Sequence, residues 1–142
     1  MPILNYTTKI SAGATVGEIQ AKLAAHGANG VSIDYDSGMP EALAFRIQTP
    51  HGLVTFRMEA NWRGVLAAME ADQNVPRAQV RPDQAQRVAW RILKDWVEAQ
   101  LAIVEAGLAT LTKVMLPYAV TATGQTVYQR LETEGPELLQ LG

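Results

Sequence analysis

Cysteine is absent from the 142 residues, and histidine occurs only twice, as His26 and His51. The first absence excludes disulfide frameworks, thiolate zinc sites, cysteine nucleophiles and iron–sulfur clusters, and it favours a cytoplasmic setting. The second leaves too few imidazoles for a multi-histidine metal site. No apolar run approaches the ~18 to 20 residues that cross a bilayer, so no membrane partner is expected. The opening Met-Pro-Ile-Leu-Asn-Tyr lacks a basic segment followed by an apolar one, so no secretory signal is read. A surplus of one charge is lacking too. Twelve Lys and Arg against 14 Asp and Glu leave a net charge of −2. That balance counts against a strong non-specific DNA binder, whose affinity rests on phosphate neutralisation, although it permits a local patch. What is present, 48% hydrophobic and 18% charged residues, suits one globular α+β domain over residues 1–142 rather than a disordered chain.

Residues 3 to 10 are rich in β-branched and aromatic types and alternate loosely, which predicts a short first strand ended by Gly13. Thr15 and Glu18 have capping-box spacing, and Val16, Ile19, Leu23 and His26 then recur at helical intervals, predicting a helix over 16–26. Three alternating runs follow, separated by Asp36-Ser37-Gly38-Met39-Pro40 and Thr49-Pro50-His51-Gly52, and they predict an antiparallel meander. With Pro50 and His51 at the tip, Ile47 pairs with Val54, Phe45 with Phe56 and Leu43 with Met58. Across the preceding turn, Ile33 faces Leu43 and Val31 faces Phe45. All of these fall on one face, and the other carries Ser32, Asp34, Ala44, Arg46, Gln48, Thr55 and Arg57. A one-residue slip would bury the arginines, so the pattern specifies its register.

Asn61 caps a second predicted helix over 62–71. The main helix opens at Pro82 or Asp83 and runs to Gly107, with Pro near its start and Gly past its end. At ~100° per residue, Gln84, Arg87, Arg91, Lys94, Asp95, Glu98 and Glu105 share one stripe, while Trp90, Ile92, Leu93, Trp96, Val97, Leu101, Ile103 and Val104 fill the rest. One small sheet cannot hide so wide an apolar arc, so the second helix, the segment 109–120 or another subunit must cover it. Self-association through this helix, with Gln100, Trp90 and Trp96 as oligomer or buried polar contacts, is the expectation. Gln100 lies near the arc's centre, where an unpaired amide would cost on the order of 1 to 3 kcal/mol, so it is expected to satisfy a buried group. A short helix is predicted around Val127 to Leu131. The fold class is therefore α+β, an antiparallel sheet of three to four strands with helices on one face, including one long helix in the C-terminal half.

Chemistry has few footholds. Residues 77–94 hold five basic residues against one acid, and Arg87, Arg91 and Lys94 could meet phosphates. The plainer reading is a solvated helix face, because Arg91 and Asp95, and Lys94 and Glu98, stand at i,i+4 and neutralise one another. Arg46 and Arg57, with Gln48, Ser32 and Thr55, form either an anion-tolerant platform or, with Asp34 compensating, a structural cluster. His26 reads as a satisfied core or boundary histidine, and His51 as a solvent-facing turn residue. Trp62 reads as the exposed tryptophan. No nucleophile elbow, phosphate loop or His-Glu-x-x-His is present. Asp34, Asp36 and Glu41 could serve a metal-dependent hydrolase only with further acids from elsewhere, so no enzyme, cofactor or metal is expected.

Arg87-Val-Ala-Trp-Arg-Ile-Leu-Lys-Asp-Trp-Val-Glu-Ala-Gln100, with Leu116-Pro-Tyr118 and Gly124-Gln-Thr-Val-Tyr128, resembles a family of small uncharacterised proteins of phages, prophages and environmental genomes. The likeness extends to Ala44-Phe-Arg-Ile-Gln-Thr-Pro-His-Gly52. It implies a mobile-element setting in a host cytoplasm, not an activity. The expected function is a non-enzymatic phage-type binding protein that engages nucleic acid or an oligonucleotide through Arg46, Arg57, Gln48, Arg87, Arg91 and Lys94. The alternative is an anti-defence inhibitor that sequesters a small nucleotide signal or blocks a host protein.

Overall fold

The computed structural model describes residues 3–139. The chain runs α1 (Ala12–Ala25), β1 (Val31–Asp36), β2 (Met39–Thr49), β3 (Gly52–Glu59), α2 (Trp62–Ala71), α3 (Pro82–Glu105), α4 (Leu111–Met115) and α5 (Val127–Glu134). The sheet is antiparallel in the order β1-β2-β3, and together with the long α3 it makes an α+β fold. Val31 pairs with Phe45, Ile33 with Leu43, Phe45 with Phe56, Leu43 with Met58 and Ile47 with Val54, the register that the alternation predicts. Phe45 and Phe56 stack at 5.2 Å between centroids on the inner face. There they meet Ile19 and Leu23 of α1 and Trp90, Val97 and Leu101 of α3 in one buried cluster. The Trp90 indole donates to Pro40 O at 3.0 Å, so the bulkiest buried side chain also ties α3 to the start of β2.

Two boundaries depart from expectation. Residues 3–10 form no strand: Asn5 turns the chain at φ 65°, and Thr8 N–H closes the turn onto Asn5 O at 2.9 Å. The carbonyls of Tyr6 and Thr8 are satisfied instead by the Gln84 amide, at 2.9 and 2.8 Å, so the sheet has three strands rather than four. α1 begins at Ala12, earlier than the Thr15 cap predicts, because Ser11 Oγ accepts from Ala14 N–H and takes the capping role first. Thr15 is then a buried helical residue.

The polar stripe of α3 lies against α1. Arg91 reaches Glu18 and Thr15, Lys22 and Lys94 share Glu98 at 3.1 and 2.7 Å, and His26 meets Glu105 at 2.7 Å. Residue numbers rise together along both helices, so α1 and α3 run parallel and their C-terminal ends lie side by side. The His26 ring touches only acceptors, Lys22 O at 2.8 Å and the Glu105 carboxylate, and filling both contacts requires both ring nitrogens to carry hydrogen. The bond to the Lys22 carbonyl and then the Glu105 carboxylate hold the imidazole pKa above its ordinary value.

The apolar arc of α3 is covered in part within the chain; Ile92, Leu93 and Trp96 stay half-buried around an apolar recess of about 440 Å³. α2 supplies Trp62 and Val65, and the segment after α3 supplies Leu111, Met115 and Tyr118. Trp90 is 1% exposed, and its indole bond to Pro40 O makes it the buried polar contact of the two roles expected for it. Trp96 is half-buried, edge-on to Tyr118 at 5.4 Å. Trp62 is half-buried rather than exposed, packed into the core with the Arg63 guanidinium 4.4 Å over its ring. Gln100 is only half-buried and bonds to no side chain or backbone group among the described residues, because the arc's centre is not its most enclosed part. The buried amide that satisfies backbone is Gln84, 4% exposed.

Two predictions follow from this packing. Gln84→Leu is expected to cost roughly 1 to 3 kcal/mol by stranding two carbonyls, whereas Gln100→Leu is expected to fall within about 0.5 kcal/mol of wild type. Urea unfolding with unchanged slope measures both. The raised His26 pKa makes its contribution complete below the ordinary imidazole pKa and lost as pH rises through the folded value. Urea midpoints across neutrality are expected to fall with pH in wild type, and to lose that component in His26→Gln.

Candidate functional site

The outer face of the sheet gathers the polar residues of the three strands, as the period-two pattern requires. Its two arginines differ sharply. Arg57 Nη1 donates to Glu59 at 2.5 Å and Nη2 to Asp34 at 3.1 Å, and its guanidinium pKa is raised, first by the Glu59 bond. The compensating role foreseen for Asp34 is thus filled toward Arg57, which occupies Arg57 in a structural cluster. Arg46 meets no carboxylate among the described residues. Its Nη2 donates to Asn29 O at 3.3 Å, and it lies exposed beside Gly30, Ser32 and Thr55 around a recess of about 350 Å³. Gln48 is exposed two residues further along β2, with its amide donating to Thr49 O at 3.2 Å.

The remaining predicted cations lie elsewhere. Arg87 is held by Asp83 at 3.1 Å, Arg91 by Glu18, and Lys94 by Glu98 at 2.7 Å. All three belong to α3, on the inner side of the sheet, so they do not converge with Arg46. The first-turn Asp83 has its pKa lowered by the Arg81 bond and by Arg87, and Glu98 by Lys94 and then Lys22, as expected of carboxylates already engaged by cations. The stripe is in part self-neutralised, as the i,i+4 spacing of Lys94 and Glu98 predicts, while Arg91 turns to Glu18 instead of Asp95; its inner side forms one half of an interhelical seam.

The sequence reading missed a larger cleft of about 700 Å³ at the opposite end of the outer face. The chain returns along β3, where Val120 N–H donates to Thr55 O at 2.8 Å, and Val127 N–H donates to Ala119 O at 2.8 Å. A full capping box between Thr126 and Gln129 then starts α5. That places Gln129, Glu132 and Tyr128 across from Asp34, Arg57, Glu41 and Arg63. Four carboxylates, counting Glu59, face two guanidinium groups, and Arg63 is drawn to Glu41 at 3.3 Å. The lining is therefore net negative and disfavours a polyanion. Thr126-x-x-Gln129 was a readable helix start, but its docking place was not.

Among the described residues no three His, Asp or Glu are placed to hold a metal ion, and no helix is long and apolar enough to cross a membrane. Comparison with protein-family models, with curated proteins and with solved structures returned no match.

The contrast between the two arginines is measurable as stability. Arg57→Ala leaves Asp34 and Glu59 facing each other without a cation and is expected to lower stability by roughly 1 kcal/mol, whereas Arg46→Ala is expected to stay within about 0.5 kcal/mol of wild type. Denaturant melts of the two variants check this.

Proposed function

We propose that the chain is a non-enzymatic binding protein that holds a phosphate-bearing small ligand, a nucleotide or the end of an oligonucleotide, on the outer sheet face at Arg46. One observation carries the reading: Arg46 is exposed and free of carboxylates among the described residues, while the other predicted cations are engaged within the chain. A guanidinium fork offers phosphate two parallel bonds, and the Ser32 and Thr55 hydroxyls beside it add donors. The recess suits a single phosphate group better than a polymer. A long nucleic acid would need several uncompensated cations along one track, and the acidic cleft at the far end of the face would repel it. This favours the sequestration of a small nucleotide over the coating of DNA. The phage-type setting rests on the sequence resemblance described above.

Isothermal titration with inorganic phosphate, a nucleoside diphosphate and a short oligonucleotide tests the reading. Nucleotide affinity is expected to fall roughly tenfold or more in Arg46→Ala, as for loss of a charge-assisted bond. The logarithm of the binding constant is expected to fall with log salt at a slope near that of about one phosphate contact. A steep slope with the oligonucleotide would return the reading to an extended nucleic-acid interface. Absence of binding by all three would overturn it, and the acidic cleft would then point to a basic segment of a protein partner.

A further inference from the structure

The two edges of the sheet are finished differently. β3 is covered by the returning chain, with Phe56 bridging Ala119. β1 pairs with β2 alone, and among the described residues no strand or bridge lies on its other side. Bonded and non-bonded pairs alternate along an antiparallel ladder. Arg46 N–H donates to Gly30 O at 3.1 Å, so Gly30 and Ser32 bond toward β2, while Val31 and Ile33 direct N–H and C=O to the open edge.

Exposed edges are usually blunted by lysine, proline or covering segments. β1 contains neither lysine nor proline; Asp34, Asp36 and the irregularity between Asp34 and Tyr35 blunt its second half and leave Val31–Ile33 as the open, regular stretch. Opposite charges flank its regular stretch, the positive one supplied by β2. At the start, the Arg46 guanidinium lies over Gly30, so close that a Cβ there would sit 2.6 Å from Nη2. Four residues on, the Asp34 side chain is 64% exposed on the same face. This arrangement is complementary to itself under a twofold rotation.

We infer that β1 pairs with β1 of a second copy of this chain, antiparallel and with Ser32 opposite Ser32, joining two three-stranded sheets into one of six strands. In that register Val31 of each copy exchanges bonds with Ile33 of the other, and these half-buried side chains continue the inner apolar face across the junction. On the outer face, Gly30 with its overlying Arg46 stands opposite the partner's Asp34. An odd shift would set bonding positions against non-bonding ones. A shift of two residues in one direction carries the irregularity between Asp34 and Tyr35 into the ladder. The same shift in the other direction moves Asp34 opposite Ala28, away from Arg46. The Ser32 register alone keeps both the regular stretch and the charge match. It places self-association at the sheet edge, whereas the sequence reading expects it through the long helix.

Ser32 is exposed in the single chain and meets itself at the twofold axis, which makes it the decisive position. Sedimentation equilibrium is expected to show wild type as a dimer at micromolar concentrations. Ser32→Lys and Ser32→Glu are each expected to be monomeric, because like charges then oppose one another across the axis, and to unfold cooperatively with a midpoint that no longer depends on protein concentration. An equimolar mixture of the two is expected to recover the dimer. A monomeric wild type, a dimer that survives in either variant, or a mixture that stays monomeric would each overturn the inference. Phosphate on Arg46 and the partner's Asp34 exclude each other, so saturating nucleotide is expected to shift wild type toward monomer where the proposed function also holds. The charge-swap result does not depend on nucleotide, so failure of either idea is visible without the other.

Discussion

The parallel seam between α1 and α3 is the constraint on which the rest of the molecule hangs. Parallel helices bring two partially negative C-terminal ends together, an arrangement that costs energy unless cations intervene. Lys22 and His26 stand in the last turn and at the cap of α1, reaching Glu98 and Glu105 of α3. At the other end, Gln84 takes up the carbonyls that precede α1. Most of these ion pairs are at least partly exposed, and each contributes on the order of 0 to 1 kcal/mol. The apolar side of the same contact, with Val16, Ile19, Leu23, Trp90, Val97 and Leu101 buried, contributes about 1.5 to 3 kcal/mol for each large aliphatic or aromatic side chain. Apolar burial therefore supplies the strength of the contact, and the polar seam supplies its direction and register. Reversing the three rungs would set His26 against Arg91 and Glu18 against Glu105.

This explains why the stripe was legible as a stripe but not as a seam. Projection at 100° per residue places Arg87, Arg91, Lys94, Glu98 and Glu105 together, and that geometry holds. Their environment depends on Glu18, Lys22 and His26, more than 70 residues earlier in the chain. Those three residues are themselves spaced i,i+4, a second charged stripe of mixed sign. The matching of two such stripes is a long-range fact that periodicity within one helix cannot express. Gln100 finds no buried group among the described residues for a related reason: α2 and the segment around Met115 and Tyr118 cover the arc unevenly and leave this residue half-buried.

The meander was readable down to its register because three constraints agreed there: strict alternation, turn residues of the required type, and a one-residue slip that would bury arginine. The N-terminal segment satisfied only one of the three. Its composition favours a strand, but its alternation is loose and Asn5 adopts a left-handed conformation that breaks it. The turn at Asn5 keeps it off the open edge of β1, and its carbonyls at Tyr6 and Thr8 are satisfied by the Gln84 side chain. The docking of α5 was hidden because it is set by single hydrogen bonds from Val120 and Val127 rather than by a periodic pattern.

The difference between Arg46 and Arg57 could have been seen earlier. In a strand, residues two apart share a face, so Arg57-x-Glu59 already supplies a carboxylate, whereas Arg46 has Ala44 and Gln48 in those positions. The cross-strand partners complete the contrast, since Thr55 lies opposite Arg46 and Asp34 comes within reach of Arg57. Two identical side chains on one face thus acquire different tasks. Arg57 is needed to hold acidic neighbours together, and that need removes it from ligand chemistry. Arg46 carries no such obligation, and its position over Gly30, just before the one strand with an open edge among the described residues, leaves a guanidinium without a carboxylate exposed beside that edge. If the proposed ligand and the inferred edge pairing both use this group, each must displace the other, and the two would be linked reciprocally through one side chain.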